Sequence, residues 1–178
     1  LCQHVWESAG HARFLRERGR ELNGFGNGEE VRDSLRQLFN EAVMPADAGV
    51  ALAGFYLALK PALLAAYRHY LDATHHLADW PSRKLVEEFI ADEQRHAREI
   101  APYLAIGNPV GATPALRSPG EGGSASEWTS HLDAALAALG GVIGQHPRVP
   151  TPAGFAWEHA SRAYAHPPTC NRGKYPTC

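Results

Sequence analysis

Apolar positions along the chain recur at intervals of three and four residues, and no long stretch alternates strictly, so the pattern predicts helices and no strands. A first helix is expected from Leu1 to Asn23, with Val5, Ala12, Leu15 and Leu22 at helical intervals. Gly24, Gly26 and Gly28 end it. A second should run from about Glu29 to Val43, its acidic start suiting a helix N-terminus and its stripe being Val31, Leu35, Leu38 and Ala42. The third, from Asp47 to Leu77, is apolar on two faces and is therefore expected at the centre of the fold. Leu52, Tyr56, Leu59, Leu63, Tyr67, Tyr70 and Leu77 trace its broader face, and Pro61 should kink or divide it.

Trp80-Pro81-Ser82 restarts the chain, with Ser82 as the expected cap of a fourth helix reaching about Ile106. Residues 107–125, rich in Gly, Pro and Ser, read as a linker. Ser124-Ala125-Ser126-Glu127 has the form of a capping box before a fifth helix to Leu139, with Trp128, Leu132, Ala135 and Leu139 on one side. A short helix from Ala153 to Tyr164 and a Pro-rich tail close the chain. The division expected is a bundle core over residues 1–106, the linker, and residues 126–178 packed on the same domain. Short connections at residues 24–28, 44–46 and 78–81 imply up-down packing.

Composition narrows the function classes. The chain has 178 residues, the size of one domain with its own core. A net charge of −2 with interspersed signs speaks against nucleic acid as a partner. The longest apolar stretch, Gly49 to Tyr67, is interrupted by Lys60-Pro61, so no membrane span is expected. No signal peptide is seen, and only Cys2, Cys170 and Cys178 are present, so a cytoplasmic protein with free thiols is expected.

The fourth helix carries the chemistry. Val86, Phe89, Glu93, His96, Ile100 and Tyr103 fall on alternating three- and four-residue steps, the seam of a helix in a bundle. Two of those six positions are ionisable, and a buried carboxylate is costly unless paired, protonated or metal-bound. Three residues apart, Glu93 and His96 reach one point beside the helix. On the first helix His4, Glu7 and His11 share a stripe, and two imidazoles with a carboxylate suit a first-row divalent metal. His69, His75 and His76, the tyrosines Tyr56, Tyr67 and Tyr70, and the adjacent Glu158-His159 are weaker candidates.

The run Asp92-Glu93-Gln94-Arg95-His96-Ala97-Arg98 resembles the second metal helix of the ferritin-like superfamily. His11-Ala12-Arg13-Phe14-Leu15 through Glu21-Leu22 resembles the helix that follows a ferritin-type metal histidine. The superfamily places a glutamate three residues before that histidine; here Ser8 stands there and the acid is Glu7. The resemblance implies an all-α, ferritin-like up-down bundle, here with an extra C-terminal helix and extended tail. It further implies iron or manganese held by Glu93, His96, Glu7, His11 and His4 between the first and fourth helices. The function implied is a metal-dependent oxidase or oxygenase acting on a small-molecule substrate with dioxygen. A full di-metal site also needs a glutamate from each remaining helix, and the third helix has none. The competing expectation is therefore a ferritin-like protein without the metal, serving as an interaction or scaffold module. Its Pro-rich tail would hold a partner or a second copy, the latter making a homodimer.

Overall fold

The computed structural model describes residues 1–22, 33–43, 45, 47–107, 125–144 and 146–149. Among them are helices and turns and no strand. Helix α1 spans Cys2–Glu21, α2 Asp33–Ala42, α3 Ala48–Ala53, α4 Lys60–Ala73, α5 Trp80–Gly107 and α6 Ala125–Leu139. Between α3 and α4 the chain stays helical through a π segment, Gly54–Leu59, so residues 48–73 form one continuous helix. The expected Ala153–Tyr164 helix, the tail, Ser124 and most of the linker lie outside the described residues.

Pro61 does not divide this helix. Proline lacks the N–H that an α-helix needs four residues after a carbonyl, and its ring crowds that carbonyl. Here it sits in the first turn of α4, directly after the widened π turn. At the start of α3 the Asp47 carboxylate accepts from the N–H groups of Gly49 (2.7 Å) and Val50 (3.1 Å), a cap that contributes about 1 kcal/mol. Because the chain runs helically through Lys60-Pro61, Ala48–Ala73 is by length and composition able to cross a membrane, against expectation. Here it packs against α5 and α6.

Two apolar clusters flank the long helix. Leu38 and Ala42 of α2, Ala58 and Leu59 of the π segment, and Leu132, Ala135 and Leu136 of α6 form the first. Tyr67 of α4 with Val86 and Phe89 of α5 forms the second. Helix α5 runs antiparallel to α1, pairing His4 with Glu99, His11 with Asp92 and Arg18 with Ser82. It also runs antiparallel to α4, with Lys60 beside His96 and Tyr70 beside Asp79. Helix α5 begins at Trp80, before the expected cap Ser82. Asp79 gathers the start instead, accepting from the hydroxyls of Ser82 and Tyr70 and from Arg18.

Helix α1 turns its polar stripe inward and leaves its apolar positions outside. Val5 is 70% exposed, and Leu15, Ala12 and Leu22 also face outward, whereas His4, His11 and Gly19 are buried. The inward stripe is polar because α5 offers it ionisable partners rather than an apolar groove. The seam of α5 is as expected through Ile100, but Tyr103 is exposed.

Two glycines make opposite predictions. A Cβ at Gly54 would lie 2.7 Å from both Leu132 Cδ1 and Trp128 Nε1, so Gly54→Ala forces α6 away. It is expected to cost about 1–3 kcal/mol despite its better helix propensity. A Cβ at Gly10 meets nothing within 4 Å, so Gly10→Ala should stabilise by roughly 0.5–1 kcal/mol. Urea denaturation of the two variants checks both signs.

Candidate functional site

Between the two apolar clusters lies a knot of ionisable side chains drawn from α1, α4 and α5. Glu93 and His96 are 3% and 0% exposed, and they meet Glu7 and His11 across the α1–α5 contact. All five residues named from the sequence as metal ligands are brought together. Joining Glu93 to His96 is a group the sequence reading took only as an interruption of the apolar stretch: Lys60.

The Lys60 ammonium donates to Glu93 Oε2, to His96 Nδ1 at 3.2 Å and to Ser8 Oγ at 3.4 Å. Accepting from Lys60 leaves the His96 proton on Nε2, which donates to Glu7 Oε2. Arg95 donates to the same Glu7 oxygen at 3.0 Å and to Asp92. His11 donates from Nε2 to Asp92 Oδ2 at 3.1 Å, while its Nδ1 lies 3.7 Å from Glu93 Oε1, too far for a hydrogen bond. His4 stacks on His96 with ring centroids 4.0 Å apart. It joins Tyr56 at Nδ1 (2.7 Å) and Glu99 at Nε2 (2.8 Å).

The electrostatics follow from this wiring. Burial pushes the Glu93 carboxyl upward, but neighbouring His11 and Lys60 outweigh it and hold it down at about 2. Glu7 is likewise held at about 2, by hydrogen bonds from Gln3 and His96 that outweigh burial, helped by Arg95. For His11, burial favours the neutral ring, yet Glu93 and Asp92 beside it raise its pKa above the usual 6.5. Tyr67 is pushed up to about 12 by burial and by the Glu93 charge.

As they stand, these residues do not fit a metal ion. Glu93 Oε2 is bound to Lys60, Glu7 Oε2 to His96 and Arg95, and His4 and His11 Nε2 to carboxylates. Within the knot, His11 Nδ1 and Glu93 Oε1 are buried without a hydrogen-bond partner. Two donors are fewer than the three or so protein ligands a metal centre needs. Among the described residues no group of three or more His, Cys, Asp or Glu is disposed to hold a metal.

Of the weaker candidates, Tyr56 bonds His4 at the knot, while the histidines lie elsewhere. His69 is exposed, and His75 and His76 stack on one another at the surface, where His75 Nδ1 accepts from the N–H groups of Leu77 and Ala78 to close a turn. Glu158 and His159 lie outside the described residues. Glu41 of α2 is buried, but it bonds His131 of α6 at 2.9 Å, away from the knot.

Sequence reading missed Lys60, Asp92, Arg95 and Glu99. Lys60 had a visible signal: it follows Tyr56 by four residues and precedes Tyr67 by seven, so it falls on the inward face of an otherwise apolar helix. The Pro61 beside it drew the reading towards a helix end. Arg95 and Glu99 gave no signal, since their partners are set by how α1 lies on α5. No protein-family model, characterised protein or solved structure matches this chain.

Proposed function

We propose that this chain is a ferritin-like bundle in which an internal ammonium, Lys60, takes the place of the metal cation, and that it serves as a cytoplasmic, non-catalytic interaction or scaffold module. The observation that carries the reading is the Lys60 ammonium on Glu93 Oε2 and 3.2 Å from His96 Nδ1. A carboxylate buried as deeply as Glu93 is costly unless a cation joins it, and His96 Nδ1 beside it needs a donor or a metal. A divalent ion is one such cation; a lysine carried by a third helix is another, and it needs no supply of metal. The outward face of α1 supports the interaction role. It exposes Val5 and Trp6, the last 77% exposed.

Elemental analysis of protein purified without chelators tests the reading, alongside a Lys60→Ala variant. The parent is expected to carry no stoichiometric iron or manganese and to gain no thermal stability when either is added. Lys60→Ala frees Glu93 and His96, so added Mn(II) should raise its melting temperature. One or two equivalents of iron or manganese in the parent, lost in Glu93→Ala/His96→Ala, would sink the proposal and favour the oxidase or oxygenase.

A further inference from the structure

We propose that a groove between the continuous helix 48–73 and α6 binds a small amphipathic amine, its ammonium on Asp133 and its apolar body against the alanines of the long helix. The proposal goes beyond the role assigned to Lys60 and rests on separate residues. Lys60 reaches towards α5, whereas the residues that follow it line the groove.

Three pieces of chain build the walls. Ala58, Pro61, Ala62 and Ala65 lie three and four residues apart on the long helix, so their short side chains share one stripe. Asp133, Leu136 and Ala137 of α6 share another, and they line the same groove. The third wall is the segment just after α6. Gly140 and Gly141, at φ 76° and 86°, turn the chain back on itself. A Cβ at Gly140 would lie 2.5 Å from the His146 carbonyl oxygen, so this turn requires glycine there. The His146 N–H then donates to the Gly140 carbonyl at 3.0 Å, and the Val149 N–H to the Ala137 carbonyl at 3.2 Å. Those two bonds hold Pro147 and Val149 against the groove.

The groove holds about 360 Å³. That is the low end of the roughly 300–1,000 Å³ typical of ligand pockets, so it suits one ring with a short chain and is too small for a nucleotide cofactor. Its lining is apolar apart from two side chains, Asp133 and His146. Asp133 decides the chemistry of the occupant. Other acids packed between helices have a basic partner: Glu93 has Lys60, Glu41 has His131 and Asp92 has Arg95. Asp133 is different. Burial pushes its carboxyl up, and no cation among the described residues offsets that. A ligand ammonium supplies the missing charge through a charge-assisted hydrogen bond. It can also donate to a ring nitrogen of His146, whereas an anionic ligand would meet the Asp133 carboxylate as a like charge. A neutral ligand of the same shape gains only the apolar contact.

Amide nuclear magnetic resonance spectra of the full chain, titrated with phenethylamine, phenethyl alcohol and hydrocinnamate, test this. The three probes share a phenyl ring and differ in the head group. Phenethylamine should give saturable shifts at Ala137, Gly141 and Val149, the alcohol should bind about tenfold more weakly, and the acid should give none. Asp133→Asn, at an exposed position, should remove the preference for amine over alcohol and leave the alcohol's affinity unchanged. Ala65→Leu and Ala137→Leu, also at exposed positions, should each block both probes by filling the groove, with circular dichroism confirming the fold. The absence of saturable shifts with the amine, shifts confined to other parts of the chain, or an amine preference that survives Asp133→Asn would overturn the proposal.

Discussion

Replacing Lys60 by methionine is expected to destabilise the protein by about 3 kcal/mol, although it adds apolar surface to an apolar helix. Removing one partner of a buried ion pair leaves the other charge without compensation, which costs about 3–5 kcal/mol. Glu93 is the stranded partner, and its side chain is 2% exposed. The lower end of the range applies because the Lys60 side chain is 17% exposed, so some water reaches the site. His96 loses the donor to Nδ1 in the same change. The loss is a large share of the roughly 5–15 kcal/mol that holds a typical domain together. Adding Glu93→Gln to Lys60→Met should restore much of the stability, since no unpaired charge then remains buried. Urea titrations of the parent, both singles and the double give the coupling directly. If Lys60→Met cost less than about 1 kcal/mol, the pair would be behaving as a solvated surface bridge.

Acid should dismantle the same knot. The Glu93 pKa is about 2 in the folded chain against an ordinary 4.5. A group whose folded pKa is depressed contributes stability that is fully present above its unfolded pKa and is lost as pH falls towards its folded one. The window is therefore from about 4.5 down to about 2. At about 1.4 kcal/mol per unit, Glu93 contributes on the order of 3 kcal/mol at neutral pH. Glu7 moves in the same direction over the same window and steepens the fall. His11 has the opposite sign. Its folded pKa is raised, so its contribution is present below about 6.5 and is lost as pH rises through the folded value. Stability should thus be greatest between the two limbs. Melting temperatures measured between about pH 2 and 9 test this, and Glu93→Gln should flatten the acid limb. An acid limb of equal steepness in Glu93→Gln would mean that other carboxylates govern acid unfolding.

The heptad on α5 was legible because its period is local: five of its six seam positions are buried, and the two polar ones were the ones that mattered. The stripe of His4, Glu7 and His11 was equally visible. Which face of α1 turned inward was harder to read. Val5, Ala12, Leu15 and Leu22 have helical spacing too, and hydrophobicity alone favours burying them. The outcome was decided by the neighbour: α5 presents Asp92, Glu93, Arg95, His96 and Glu99 to α1, and a charged seam is met at least cost by a charged stripe.

The sequence by itself determined the helices, the polar seam of α5 and the set of side chains that had to be reconciled inside the bundle, because periodicity and residue type act over a few residues. Only the tertiary structure decided that a lysine reconciles them. Lys60 lies 33 residues from Glu93, and no local pattern says which side chain will cross that distance. The answer came from α4 packing antiparallel to α5 and setting an ammonium where a buried carboxylate and an imidazole converge, a place where the carboxylate needs a cation and the one at hand is covalently part of the chain.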